Sequence, residues 1–389
     1  MESFIRSIED SQRAQDSHQA GALDVSSGPV KLEQVRGSDL AIDEELRAML
    51  DDQKTRIRVV GCGGGGNNTI NRIGQVGIVG ADTVAINTDA QDLLYTTAKT
   101  KILIGKEVTR GLGAGSNPTI GETSARESEK QIRESLEGSD LVFVTCGLGG
   151  GTGTGSAPIV AEIAKKLDIL TVAIVTMPFS MEGNKRYENA VNGLERLEHI
   201  ADTLIVIPND KLLELAPDLP LHTAFKLADE ILTNAVKGIA ELITKEGLIN
   251  LDFADIRAVM GGGGTALIGL GESNSQDRAK EAVERAMNNP LIDADVNGAT
   301  GALINVLGGT DMTLSEARTI VEAISSKMSD DARIIWGASI EPDLDRHIKV
   351  MLIVTGVKSL QLRGGVGSAK EKGLDPDSAK ENFGIDFLD

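Results

Sequence analysis

The sequence predicts an α/β domain that is followed by a smaller α+β domain. Two strand–glycine loop–helix units predict the first domain. One apolar run at Ile57–Val60 leads into the glycines of 61–66, and another at Leu141–Thr145 leads into the loop 146–158. From Thr265 the pattern changes to strand, helix, strand, helix, strand, strand. That order is typical of a four-stranded sheet with two helices on one face.

The composition bounds the class of protein. A length of 389 residues suggests two domains. A net charge of −19 and an aromatic content of 3% argue against a nucleic-acid-binding surface. The same charge suits high salt, so a halophilic source is a hypothesis. Cys62 and Cys146, the two cysteines, offer neither a disulfide framework nor a metal-ligand spacing.

Neither secretion nor a membrane span is predicted. The first residues lack an apolar signal segment, and no run of about 18 apolar residues occurs, so we expect a cytoplasmic protein. The polar ends predict a disordered arm and a flexible tail, and the apolar residues of the last segment, 382–389, suggest a docking motif. The expected segments are the arm 1–52, a nucleotide-binding domain 53–221, a central helix 222–246, the α+β domain 247–358 and the tail 359–389.

The central loop predicts an anion site. Its six glycines fall within 147–155, between a buried strand and an apolar helix. Glycines let backbone N–H groups close on an anion, and the helix dipole favours negative charge there. Thr152, Thr154 and Ser156 add hydroxyls that can bond phosphate oxygens. The alternative, a flexible linker, does not suit such flanking elements.

The first glycine loop, GCGGGGNN at 61–68, leaves two interpretations open. It fits the dinucleotide fingerprint GxGxxG after a strand. Asp89 lies at the position where that fingerprint has an acidic residue that binds the ribose. An NAD-binding oxidoreductase is therefore one interpretation. The central loop favours the other, because a dinucleotide fold has no need of it. The chain has no Walker A motif.

Further candidates follow the central strands. A third glycine loop, GLGAGSNP at 111–118, opens a helix predicted over about 119–136, although a surface turn is the alternative. Glu182 and Arg186 are four residues apart, and the residues alone favour an ion pair. Asn209 follows a strand and can offer both a donor and an acceptor to a base edge.

The longest helical pattern runs from His222 to Ile243. Its apolar stripe, which includes Phe225, is wide enough to predict a helix buried between layers. The segment GLINLDFADI follows at 247–256. Carboxylates at a helix start are more often caps than catalysts, so the residues alone favour caps for Asp252 and Asp255.

These motifs carry a family resemblance. GGGTGTG, Gly149 to Gly155, resembles the signature of the tubulin/FtsZ superfamily of GTPases, and Thr154 is similar to the FtsZ form, where tubulins usually have Ser. GCGGGGNN, NTDAQ, GLGAGSNP and GLINLDFADI resemble FtsZ segments in the same order. The resemblance covers about residues 55 to 357 and is greatest to archaeal FtsZ proteins. The tail does not match the peptide usual in bacterial FtsZ.

The resemblance implies a Rossmann-like parallel-sheet GTPase domain, a long central helix and a second α+β domain, the tubulin/FtsZ fold. GTP or GDP would bind with Mg²⁺ on the phosphates and no direct side-chain metal ligand. Glu182 would meet the ribose, Arg186 the sugar or phosphates, and Asp229 the guanine N–H groups. The implied nucleotide-binding residues are Gly63, Gly64, Gly65, Asn67, Asn68, Asp89, Gly113, Ala114, Gly115, Gly149, Gly150, Gly151, Thr152, Gly153, Thr154, Gly155, Glu182, Arg186, Asn209 and Asp229.

The resemblance also implies an assembly. Asp252, Asp255 and Asn250 would be catalytic residues that act on the GTP of the next subunit in a head-to-tail homopolymer. The central helix of some 22 residues would separate them from their own nucleotide by about 33 Å. The filaments would form the division ring at mid-cell, with a membrane-tethering adaptor on the tail. The alternative within the superfamily is a tubulin-like paralogue that controls cell shape.

Overall fold

A computed structural model describes residues 55–215, 221–245, 247–249, 251–289, 291–292 and 299–357. The predicted arm and tail, and Asn250, lie outside the described residues. The described strands pair in one sheet of ten, in the order β3-β2-β1-β4-β5-β6-β7-β10-β8-β9. The strands are β1 Ile57–Cys62, β2 Ala81–Asn87, β3 Thr100–Leu103, β4 Leu141–Gly147, β5 Leu170–Met177, β6 Thr203–Pro208, β7 Gly264–Ser273, β8 Gly301–Gly308, β9 Arg333–Ile340 and β10 Ile348–Thr355.

Helices cover both faces of the first part of this sheet and flank the second part. They are α1 Gly63–Val76, α2 Ala90–Tyr95, α3 Lys106–Thr109, α4 Pro118–Glu127, α5 Glu129–Leu136, α6 Thr152–Lys166, α7 Asn184–Ile200, α8 Asn209–Leu215, α9 Leu221–Thr244, α10 Phe253–Met260, α11 Arg278–Met287 and α12 Leu314–Ser325. Short 3-10 turns lie at Ser180–Glu182 and Pro342–Leu344.

The first six strands are parallel and follow the doubly wound order 3-2-1-4-5-6. β1 lies between β2 and β4, so that Ile57 pairs with both Ala81 and Leu141. Because parallel strands end at one edge of the sheet, the glycine loops after β1 and β4 open at the same edge. The Rossmann-like α/β class predicted from the sequence is confirmed.

The second part of the sheet contains the four strands expected from the sequence. β10 is antiparallel to β7 and to β8, and β8 is parallel to β9. These strands do not form a separate sheet, because β7 pairs in parallel with β6, Thr203–Ile205 against Gly264–Ala266. Thr203 also donates from its hydroxyl to the carbonyl of Met260 at 2.5 Å, which fixes the chain just before β7.

The central helix α9 is one residue longer at each end than the predicted His222–Ile243. Most of the predicted stripe is buried, but Phe225 is 41% exposed, so its predicted burial is wrong. At that end the ring rests edge-on against Phe179, with centroids 5.1 Å apart, instead of entering the core. The predicted helix 119–136 is two helices, because the chain turns at Ser128, whose hydroxyl accepts from the N–H of Gly105 at 3.4 Å.

Candidate functional site

The central loop joins β4 to α6 through a tight glycine turn. Gly149 has φ +99°, a conformation that favours glycine, and its N–H donates to the Thr154 hydroxyl at 2.9 Å. The Thr154 side chain is therefore engaged by the loop itself. A Cβ on Gly151 would lie 2.7 Å from the backbone nitrogen of Asn117 and 2.9 Å from the Ala114 Cβ. The third glycine loop thus packs directly on the central loop.

The first glycine loop brings a second helix N-terminus to the same place. α1 begins at Gly63, where φ is +70°, and a Cβ there would lie 2.7 Å from the nitrogen of Gly153. Gly64, Gly65 and Asn68 are exposed. The N-termini of α1 and α6 therefore converge, and their N–H groups and dipoles suit an anion such as a polyphosphate.

Asn67 has a different environment from its exposed neighbours. It is fully buried, and its Nδ2 donates to an Asp92 carboxylate oxygen at 3.0 Å. Asn87 Nδ2 donates to the same oxygen at 2.6 Å. Asp89, predicted for the ribose, caps α2 by accepting from the N–H of Gln91 at 2.9 Å. Sequence reasoning missed Asp92, because its partners lie on other elements of the chain.

The third glycine loop is held by the exit of β2 and is not a free surface turn. The Gly113 N–H donates to the Thr88 carbonyl at 3.2 Å, and Leu112 forms a bridge with Asp89. The Thr88 hydroxyl lies 2.6 Å from the hydroxyl of Thr152 at the start of α6. The structure therefore brings all three predicted glycine loops together, with Ala114 buried between them and Gly115 in the left-handed region.

Glu182 and Arg186 form the ion pair that the residues alone favour. Glu182 Oε2 lies 3.2 Å from Arg186 Nη1, and its other oxygen accepts from the Phe179 N–H at 2.9 Å. The backbone oxygen of Arg186 would meet a Cβ on Gly149 at 2.8 Å, and its guanidinium would lie 4.0 Å from one on Gly150. The pair therefore stands at the rim of the central loop, beside the converging helix N-termini.

Asn209, Phe225 and Asp229 lie on elements linked to that rim. Asp210, next to Asn209, accepts from the N–H of Ser180 at 3.0 Å. Asn209 is 5% exposed, and its Oδ1 has no hydrogen-bond partner among the described residues. Phe225 offers an exposed aromatic face that sequence reasoning missed as a site feature. Its position one helical turn before Asp229 was the available signal.

The Asp229 carboxyl has a raised pKa, which follows from its burial. Burial raises the pKa of the Asp229 carboxyl from 3.8 to about 6, and the nearby Arg72 charge opposes that rise. A partly buried carboxylate without enough compensating donors is suited to accept hydrogen bonds from a ligand. A guanine edge, with two adjacent N–H donors, has the complementary pattern.

Asp252 and Asp255 lie at the opposite edge of the sheet from the glycine loops. Asp252 caps α10 by accepting from the Asp255 N–H at 2.7 Å, as the residues alone predict, and both side chains are exposed. Arg257 of the same helix donates to the carbonyl of Asp168, which precedes β5. Since the glycine loops follow the parallel strands and Asp168 precedes one, the two sites face away from each other.

Among the described residues, no group of three or more His, Cys, Asp and Glu side chains could hold a metal ion. No helix there is both long enough and apolar enough to cross a membrane.

Two family models match the chain. Residues 56–217 match the GTPase domain of the Tubulin/FtsZ family, and residues 264–358 match the C-terminal domain of the FtsZ family. The matched segments contain the three glycine loops and the second part of the sheet. The family match therefore shows that this chain is a GTPase. It does not support the alternative interpretation, an NAD-binding oxidoreductase.

Archaeal proteins are among the most similar relatives. Cell division protein FtsZ 1 of Methanocaldococcus jannaschii is 60% identical over 330 residues, 85% of this chain and 91% of the relative. The protein of the same name from Pyrococcus horikoshii is 58% identical over 86% of this chain and 90% of the relative. Both therefore align along nearly their whole length.

Solved structures agree with the fold. An empty FtsZ dimer from M. jannaschii has a TM-score of 0.78 at 61% identity and covers 81% of this chain and 92% of that chain. CetZ2 from Haloferax volcanii, solved as a GTPγS-bound protofilament, has a TM-score of 0.69 at 21% identity. The match covers 82% of this chain and 98% of that chain. At that identity the second likeness shows the fold alone.

Proposed function

Because this chain belongs to the FtsZ family of the tubulin/FtsZ superfamily of GTPases, we propose that it polymerises head to tail and hydrolyses GTP at the contact between subunits. The relatives' name, cell division protein, supports a role in the division ring. Identity of about 60% to proteins of that name favours that role over a tubulin-like paralogue that controls cell shape.

One observation carries the proposal: the glycine loops and the Asp252–Asp255 pair lie at opposite edges of one subunit. The central helix α9 has 24 residues, which corresponds to about 36 Å at 1.5 Å per residue. Near its start it carries Phe225, whose ring contacts Phe179 beside the rim of the central loop. At its other end the Thr244 hydroxyl donates to the carbonyl of Val79, which precedes β2. The carboxylates cannot reach their own subunit's nucleotide across that length.

A head-to-tail contact solves this separation. It presents the exposed carboxylates of one subunit to the nucleotide held by the next, and heterologous contacts of this kind give open filaments. A carboxylate there orients the attacking water and takes its proton. We propose Asp252 and Asp255 for this role, and Asn250 for ordering the water. Because the site is complete only in the filament, hydrolysis requires assembly.

GTP is proposed to lie along the converging loops. The helix N-termini at Gly63 and Thr152 hold the phosphates, the Glu182–Arg186 pair borders the sugar, and Asp229 accepts from guanine. Asn209 can add an acceptor through its Oδ1, which has no hydrogen-bond partner among the described residues. Mg²⁺ is proposed to bind phosphate oxygens and waters, because it keeps several waters in most sites. The Thr88 and Thr152 hydroxyls, 2.6 Å apart, fit such waters.

The cellular setting is inferred from the relatives and the sequence. We propose that the protein works in the cytoplasm at the mid-cell division site. An adaptor that recognises the apolar residues at 382–389 is proposed to tether the filament to the membrane. Deleting residues 382–389 should leave assembly and hydrolysis intact in the purified protein while ring formation in cells is lost.

Sedimentation with GTP or GDP, with phosphate release measured in parallel over a protein concentration series, tests the assembly step. We expect pellets with GTP and little pellet with GDP. Phosphate release per molecule should rise above a threshold concentration that matches the sedimentation threshold. A constant release per molecule down to nanomolar protein would show that one subunit suffices.

A further inference from the structure

The geometry points to Asp92 as a positioning residue for nucleotide binding. We infer that its carboxylate locks the first glycine loop to the exit of β2, so that the three glycine loops close on the phosphates as one unit. The inference rests on the proposed function only in taking GTP as the ligand. Neither the motifs nor the catalytic proposal assigns this residue a role.

Two buried amides converge on one Asp92 oxygen. Asn67 Nδ2 lies 3.0 Å and Asn87 Nδ2 lies 2.6 Å from Asp92 Oδ2. Asn67 is 0% exposed and Asn87 is 3% exposed, so both amides are shielded from solvent, while Asp92 itself is half-buried. A buried amide that loses its acceptor pays its full desolvation cost. The carboxylate therefore holds α1 and the end of β2 in one arrangement.

The exit of β2 in turn contacts the other two loops. Thr88, next to Asn87, lies 2.6 Å from the Thr152 hydroxyl at the start of α6. Its carbonyl accepts from the N–H of Gly113 in the third loop at 3.2 Å. The Asp89 carboxylate accepts from the backbone N–H of Asp92 at 3.1 Å, so that Asp89 and Asp92 are bonded to each other within the segment that follows β2. A shift of Asn87 would therefore move contacts to all three loops.

Asp92 is poorly suited to touch the nucleotide itself. A carboxylate beside a triphosphate is repelled by it, and this one already accepts two amide donors on one oxygen. Its effect on the ligand must pass through Asn67 and Asn87. What matters is then the acceptor oxygen at that position rather than its negative charge.

The test compares Asp92→Ala with Asp92→Asn, which keeps an acceptor oxygen but no charge. The control is Asp82→Ala, which removes an exposed acid of β2 that pairs with Lys99 outside the site. GTP affinity is measured with a fluorescent GTP analogue at protein concentrations below the assembly threshold. Circular dichroism confirms that each variant is folded at the assay temperature.

We expect Asp92→Ala to bind GTP at least about 10-fold more weakly, because the variant leaves two buried amides without their acceptor. Asp92→Asn should stay within about 3-fold of the wild type, because its amide oxygen can accept the same two hydrogens. Asp82→Ala should match the wild type. Should Asp92→Ala not fold, Asn87→Ala removes one of the two bonds to Asp92, together with the bond that Asn87 Oδ1 accepts from the Asp89 N–H at 3.2 Å, and should weaken GTP binding in the same way.

Unchanged affinity in the folded Asp92→Ala or Asn87→Ala variant would overturn the inference. So would an Asp92→Asn variant as weak as Asp92→Ala, because charge would then matter more than the acceptor. A wild-type chain that binds no GTP would overturn both this inference and the proposed function, whereas unchanged affinity in Asp92→Ala overturns the inference alone.

Discussion

Asp229→Asn is expected to stabilise the nucleotide-free protein and to weaken GTP binding. Burial raises the pKa of the Asp229 carboxyl from 3.8 to about 6. The folded state binds this proton more tightly than the unfolded state. The stabilisation that the protonated Asp229 contributes is therefore fully present below pH 3.8 and is lost as the pH rises through about 6. Above that pH the ionised carboxylate destabilises the apo protein, and an uncharged amide removes the penalty.

The magnitude follows from the shift. A rise of about two pKa units corresponds to about 3 kcal/mol in the free energy of unfolding. The side chain is only partly buried, so we discount the gain at pH 8 to about 1–2 kcal/mol. For a chain of this size that is about 3 °C in Tm. The amide also turns donors toward the guanine N–H groups, which should weaken GTP binding roughly 100-fold.

The assay is thermal unfolding at pH 8 without nucleotide, together with a GTP titration. Glu230→Gln is the matched control, because Glu230 is the next residue, is exposed and pairs with Arg72 at 3.7 Å. The Tm difference between Asp229→Asn and the wild type should shrink as the pH is lowered from 6 to 5. A variant that melts at or below the wild-type temperature at pH 8 refutes the electrostatic argument. A variant that binds GTP as tightly as the wild type and still excludes ATP refutes the guanine assignment.

Further predictions concern the loops, the pH and the salt. Gly151→Val should remain folded by circular dichroism and lose GTP binding, because its side chain would meet Asn117 and Ala114 at under 3 Å; unchanged affinity would place the phosphates elsewhere. Wild-type GTP affinity should fall as the pH is lowered below about 6, the pKa of the Asp229 carboxyl, and a flat titration from pH 8 to 5 would contradict this. Asp255→Ala should bind GTP normally and release phosphate at least about 10-fold more slowly, a prediction that full phosphate release would rule out. If the net charge of −19 reflects a halophilic source, assembly should increase from low to molar KCl, and loss of assembly in high salt would reject that origin.

Local sequence patterns predicted the elements that carry the site. Strand and helix periods placed the loops after β1 and β4 at one sheet edge, and α9 was predicted to within one residue at each end. The residues alone also predicted the capping role of Asp252 and the Glu182–Arg186 ion pair. These features depend on neighbours within four residues, which is the range that sequence patterns report.

Features set by distant partners were not predictable. The pairing of β7 with β6 covers three residues on strands joined by a long connection, and no local pattern specifies it. Asn67 was predicted as a nucleotide ligand, and no local pattern shows that its Nδ2 donates to Asp92 of another element. Phe225 matches an apolar stripe, but its exposure depends on where the helix passes the sheet edge. In each case the tertiary neighbour, not the sequence period, decides the environment.

The shared active site is the central claim, and a mixing experiment tests it most directly. Gly151→Val is expected to bind no GTP but keeps both proposed catalytic carboxylates, Asp252 and Asp255. Asp252→Ala is expected to bind GTP but lacks one of these carboxylates. Each variant alone should release little phosphate. Mixed together, they should recover activity, because GTP bound to an Asp252→Ala subunit can contact the intact Asp252 and Asp255 of a Gly151→Val subunit. A mixture no more active than the sum of its parts, under conditions where both variants co-sediment, would contradict hydrolysis between subunits.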